Sequence, residues 1–211
     1  MRIEVKHLPD LDTVAMRCTE NCDTDSRPLV PEVQFRHCPA AFDPATASVA
    51  AAVVFADYCG EVVEFADAPV GLDHRAAVAA ILPHATAIYP IDASLKDIRQ
   101  GRDSIVVCEA AELPGRFGTG AALRGRSRLI TWNGDFIDAE SRDPSRHVTG
   151  QVATNARLVA GSVAVSLALG LLIGGRNAYG IRIGEPEEPQ RRRAASLREA
   201  LASIGVSVEL H

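Results

Sequence analysis

Apolar and polar residues alternate in Arg2-Ile-Glu-Val-Lys6 and again in Glu32-Val-Gln-Phe-Arg-His37, the two-residue period of a strand. Asp43-Pro44 then supplies an N-cap and a first helical residue. The apolar run over 45–59 closes on Gly60, the residue type expected after a helix end. Residues 61–66, 73–82, 86–91, 94–100 and 104–109 continue as strand, helix, strand, helix and strand. Strands separated by helices of this length predict βαβ units and a parallel sheet. The expected fold class is α/β, a Rossmann-like three-layer fold with a mostly parallel sheet.

Two further strand candidates, 3–8 and 13–18, precede a polar loop marked by Asp23, Asp25, Pro28 and Pro31. Residues 1–31 are therefore expected as a short N-terminal β appendage to an α/β domain over 32–211, with one domain over 1–211 as the alternative. Residues 128–132 and 135–139 flank Asn133-Gly134, a strong hairpin signal that predicts a β-hairpin insertion. A polar stretch over 140–150 leads to an apolar run over 158–175. A strand-like 178–183, an acidic proline-marked linker over 185–189, a basic amphipathic helix over 190–204, a Gly205 stop and a strand over 206–210 follow.

Composition narrows the function classes. A net charge of −5 over 211 residues argues against coating nucleic acid or an anionic membrane. The charge is uneven: the first 100 residues hold 8 of the 22 Lys/Arg but 15 of the 27 Asp/Glu, so the second half better tolerates an anionic ligand. The cysteine count of five is odd, and Met1 leads straight into charged alternation rather than a signal peptide. Both point to a cytoplasmic chain with free thiols. The uncharged run over 158–175 contains Gly161, Gly170, Gly174 and Gly175 and is bracketed by Arg157 and Arg176. It is expected as a helix buried against a sheet or at a subunit interface rather than as a membrane span.

In an open parallel sheet, ligands bind at the carboxyl ends of the strands. Those ends carry His37 and Cys38, then Asp67, then Asp92, then Cys108 and Glu109. Asp67 ends the second predicted strand, where a dinucleotide-binding fold keeps the acid that holds a ribose hydroxyl. The first turn, His37-Cys-Pro-Ala-Ala-Phe-Asp-Pro44, lacks glycine and has two prolines without an N–H. That argues against conventional NAD, FAD or S-adenosylmethionine binding there, while a smaller anion fits a helix N-terminus. Cys38 lies near the helix start, where a thiolate is favoured, and is a candidate nucleophile; simple burial is the competing expectation.

Residues 115–128 combine Gly115, Gly118, Gly120 and Gly125 with Arg116, Arg124, Arg126 and Arg128, and no acid falls between Glu112 and Asp135. Exposed backbone N–H groups and forked arginines are the ingredients of phosphate or carboxylate recognition. A solvated loop is the competing expectation. Asp135, Asp138, Glu140, Asp143 and His147 follow as an acidic cluster. It would suit Mg²⁺ beside a bound phosphate, but Asp135 and Asp138 differ in strand parity, so a charged hairpin edge is the simpler role. Cys18, Cys22, His37 and Cys38 include zinc-type donors, yet an adjacent His-Cys is a poor ligand pair, and no metal is assigned.

The order of elements, with Ser104-Ile-Val-Val-Cys-Glu109 ending a strand and a late apolar helix, resembles two groups, the ubiquitin-activating adenylating enzymes and the Rossmann dehydrogenases. The glycine-rich nucleotide loop of either group has no counterpart before Ala45, so the resemblance implies a degenerate member. Two expectations remain. One is a cytoplasmic enzyme acting on a phosphorylated or carboxylated small molecule or nucleotide, bound across the strand ends between Asp67, Cys108, Glu109 and the loop 115–126. Arg116, Arg124 and Arg126, with Gly118 and Gly120, would hold this small anionic ligand, and Glu109 or His147 would transfer protons. The other is a non-catalytic homo-oligomer or partner subunit assembled through the helix over 158–175.

Overall fold

The computed structural model describes residues 1–20, 23–82, 87–95, 103–112, 127–134, 148–175, 178–188 and 190–210. The early alternating segments form β1 (Arg2–Leu8), β2 (Thr13–Thr19) and β3 (Glu32–Arg36), an antiparallel meander. Ile3, Val5, Val14, Met16, Val33 and Phe35 face the core, and the opposite face is a charged surface with pairs such as Arg2–Glu64 at 3.4 Å and Lys6–Glu4 at 3.6 Å. One buried and one solvated face is what alternation encodes in an antiparallel sheet. Asp43 caps α1 (Pro44–Phe55) by accepting the Thr46 N–H at 3.2 Å. Then come β4 (Val62–Phe65), β5 (Val70–Gly71), α2 (Arg75–Ile81), β6 (Ala87–Tyr89) and β7 (Ile91–Asp92).

The second half contributes β8 (Asp103–Glu109), β9 (Ser127–Asn133), β10 (Val148–Thr154), α3 (Ser162–Gly174), β11 (Ala178–Ile183), α4 (Gln190–Ala202) and β12 (Ser207–Leu210). Ile105 through Cys108 are all buried, the continuous apolar pattern of a strand covered on both faces.

Ten strands form one mixed sheet in the order β12-β11-β8-β9-β10-β3-β2-β1-β4-β6, and β5 and β7 form a separate two-stranded sheet. The expected α/β class is borne out, with four helices among the described residues; the sheet is mixed, so the Rossmann-like three-layer fold is not confirmed. The sheet's two parallel wings are β12-β11-β8-β9-β10 and β1-β4-β6. Three successive antiparallel pairings, β10 with β3, β3 with β2 and β2 with β1, join them. Three reversals are an odd number, so the wings run in opposite directions and their carboxyl ends lie on opposite edges. Residues 1–31 contribute β1 and β2, two interior strands of this sheet. β9 is hydrogen-bonded on both sides, to β8 and to β10, and Asn133 closes it where the hairpin was expected to turn. Residues 135–139 of that hairpin lie outside the described residues.

Both long apolar helices are buried all round. In α1 every residue from Ala45 to Phe55 is buried, and in α3 every residue from Val163 to Gly174. They pack antiparallel on each other, α3 lies on β8 and β11, and α2 packs on α4. A ten-stranded sheet is near the size at which open sheets curl, and here α2 and α4, from opposite ends of the strand order, pack on each other. The residues expected to lie at a sheet or a subunit interface are covered by their own chain. Among the described residues no helix is long and apolar enough to cross a membrane.

Two glycines make this packing tight. A Cβ on Gly170 would stand 2.7–2.9 Å from three carbons of Ile181 on β11. Gly175, just past α3, has φ of +50° and would press a Cβ to 2.5 Å from the Ala41 carbonyl oxygen, a conformation open to glycine.

Candidate functional site

At the carboxyl edge of the larger wing, β8, β9 and β11 end beside the N-termini of α3 and α4. A small cleft of about 90 Å³ opens there. Glu109, the last residue of β8, pairs with Arg157 across its mouth. Trp132 of β9 forms part of the floor; its indole N–H donates to the Ser166 hydroxyl of α3 at 2.9 Å. Ile183, Pro186 and Val163 supply apolar wall, and Glu185 and Glu187 complete the rim.

The start of α3 explains part of the site's character. Its N-cap is Gly161, which has no side chain to satisfy the first-turn N–H groups. Gln190, at the start of α4, covers one of them: its amide oxygen accepts from the Val163 N–H at 3.4 Å and also from the Ser162 hydroxyl at 3.2 Å. Two helix N-termini with their partial positive charge therefore meet at one cleft with Arg157. The other end of α3 is held by Arg128, whose guanidinium donates to the Ile173 carbonyl at 3.3 Å. Arg128, expected in the anion-binding segment, caps a helix C-terminus.

Of the residues predicted from sequence, Glu109 stands in the cleft. Asp67 does not. It is exposed beyond β4, six strands away in the sheet order, roughly 29 Å along the sheet at 4.8 Å per strand, and on the opposite edge. The structure thus places Asp67 and Glu109 at opposite edges of the sheet and does not bring them into one crevice. The reason is the reversal of strand direction between the wings.

Cys38 is fully buried, and burial pushes its thiol up to about 12, with Asp12 adding to the rise. The neighbouring helix N-terminus is already occupied by the Asp43 carboxylate. Both effects oppose the thiolate that a nucleophile needs. Cys18 and Cys38 cannot share a metal: the Cys18 N–H bonds the Pro31 carbonyl and the Cys38 N–H bonds the Asp12 carbonyl. Six residues of β2 thus separate their positions, roughly 20 Å at 3.3 Å per residue. Cys22 lies outside the described residues.

Arg116, Gly118, Gly120, Arg124, Arg126 and His147 also lie outside the described residues. Val148, which follows His147, pairs with Leu129 three residues before Trp132, roughly 10 Å down the strands from the level of Glu109. β10 therefore begins away from the cleft.

Arg157, Ser162, Trp132 and Gln190 are site residues that sequence reasoning missed. Arg157 stood out only as a charge flanking an apolar run, and Gln190 only as the start of a basic helix. No local pattern announces that a helix lacking its own cap will be capped by another helix. No protein-family model, curated protein or solved structure matches this chain.

Proposed function

We propose that the chain is an α/β enzyme acting on a phosphorylated or carboxylated small molecule bound at the carboxyl edge of β8, β9 and β11. One observation carries this: the Glu109–Arg157 pair sits at the mouth of a cleft against the N-terminus of α3. The guanidinium and the helix start would hold the anion, and Glu109, freed from Arg157, would take or give a proton. A cleft of about 90 Å³ suits a small anion or the head of a larger one; whole drug-sized ligands occupy roughly 300–1,000 Å³.

Thermal unfolding with phosphate, sulfate, small carboxylates and phosphorylated metabolites at millimolar concentration tests this function. A ligand present at one hundred times its dissociation constant adds about 2.7 kcal/mol. The expected result is a rise in unfolding temperature for at least one anion, lost in Arg157→Ala. No rise for any anion would refute the assignment for these ligand classes.

A further inference from the structure

Building on the anion-binding function proposed above, we propose that the ligand of this cleft is a zwitterion, a small molecule carrying an ammonium group next to its carboxylate, as an α-amino acid does. Glu109 must find a new partner when an anion arrives at Arg157. In the free protein Arg157 is the guanidinium of the cleft and Glu109 is its partner. The Arg157 side chain is 52% exposed and that of Glu109 only 18%, so an entering anion reaches Arg157 first.

If the anion displaces Glu109 from Arg157, Glu109 is left as a largely buried carboxylate without its counter-charge, which is costly. The rim worsens the imbalance. Glu185 is already paired, with Arg191 at 3.5 Å, and Glu187 adds another carboxylate to the lining. A purely anionic ligand thus trades one ion pair for another and adds repulsion.

A zwitterion trades one ion pair for two. Its carboxylate takes Arg157, its ammonium takes Glu109, and the total charge of the cleft is unchanged. The cleft exposes little apolar surface, since Trp132 and Ile183 lie almost wholly buried beneath it. The small volume favours a short side chain.

Trp132 is the chain's single tryptophan, so its fluorescence reports on this cleft and nowhere else. The full chain is titrated with L-alanine, L-serine, L-threonine, L-aspartate and L-glutamate. Each is matched by the carboxylic acid lacking its amino group and by the amine lacking its α-carboxylate, with inorganic phosphate alongside. The expected result is saturable binding of at least one amino acid, with both of its half-analogues binding at least tenfold more weakly. Glu109→Gln is expected to remove the preference for the amino acid over its acid analogue. Arg157→Gln is expected to remove the preference over its amine analogue.

Acid analogues or phosphate binding as tightly as the amino acids would overturn the zwitterion while leaving the anion-binding function standing. Silence from every compound, with no shift in unfolding temperature either, would overturn both. The analogue series on the unaltered protein decides the matter even where a variant fails to fold.

Discussion

Gly170→Ala sets two known effects against each other at one position. In a helix interior alanine is favoured over glycine by about 1 kcal/mol, so local propensity predicts stabilisation. The structure predicts the reverse. The added Cβ would lie 2.7 Å from Cγ2, 2.8 Å from Cδ1 and 2.9 Å from Cγ1 of Ile181, all closer than carbon atoms approach. Ile181 is fully buried, and its strand is hydrogen-bonded to β12 on one side and β8 on the other, so it has little room to retreat.

Overpacking of this kind costs about 1–3 kcal/mol. With the overlap spread over three atoms, the upper part of that range applies, and after the propensity gain the expected net loss is about 1–2 kcal/mol. For a chain of this length the unfolding temperature should fall by about 2–8 °C. Urea unfolding, followed by far-ultraviolet circular dichroism and by Trp132 fluorescence, measures it. Ile181→Ala removes all three opposing atoms, so in the Gly170→Ala background it should cost less than it does alone, a favourable coupling in a double-mutant cycle. A Gly170→Ala protein as stable as the parent or more so would refute the close approach of α3 to β11.

Ser166→Ala strips the acceptor from the buried Trp132 indole N–H and should cost about 1–3 kcal/mol in urea unfolding; an unchanged midpoint would show that the bond contributes nothing. His37 is exposed and holds φ of +56°. Left-handed backbone costs an L-residue about 1–2 kcal/mol and glycine gives back about 0.5–1 in entropy, so His37→Gly should gain about 0.5 kcal/mol, whereas a clear loss would mean that the imidazole itself is stabilising. Burial pushes the thiols of Cys38 and Cys59 up to about 12 and that of Cys18 to about 11, from an ordinary 9.0. The folded chain keeps these protons where the unfolded chain has lost them, so their contribution is whole below about pH 9 and falls as pH rises toward 12. Urea midpoints between pH 8 and 11 should decline, less steeply in Cys38→Ala, and a flat profile would contradict the burial of these thiols.

The local elements were legible because each rests on neighbours in the chain. The alternation in β1 and β3 names a strand and the face it buries. The continuous apolar run of β8 names a strand covered on both sides, and Asp43-Pro44 starts a helix through bonds spanning three residues. β10 was not legible: Val148-Thr-Gly-Gln-Val-Ala-Thr154 has as many apolar as polar residues and no strict alternation, and the adjacent Val152 and Ala153 are both buried. Yet β10 is the strand that joins the larger wing to the meander.

Strand direction and strand neighbours are long-range properties. A period of two fixes which side chains face the core, and it is the same whether the partner strand runs parallel or antiparallel. Hence Asp67, just past β4, and Glu109, the last residue of β8, were expected on one edge and stand on opposite ones. The cleft follows the same rule. Glu109, Arg157 and Gln190 are up to 81 positions apart in the chain, and they meet because three parallel strands and two helices place their ends together. Most segments declare their own type through neighbours in the chain, whereas which ends converge is settled by hydrogen bonds between residues whose separation no local pattern records.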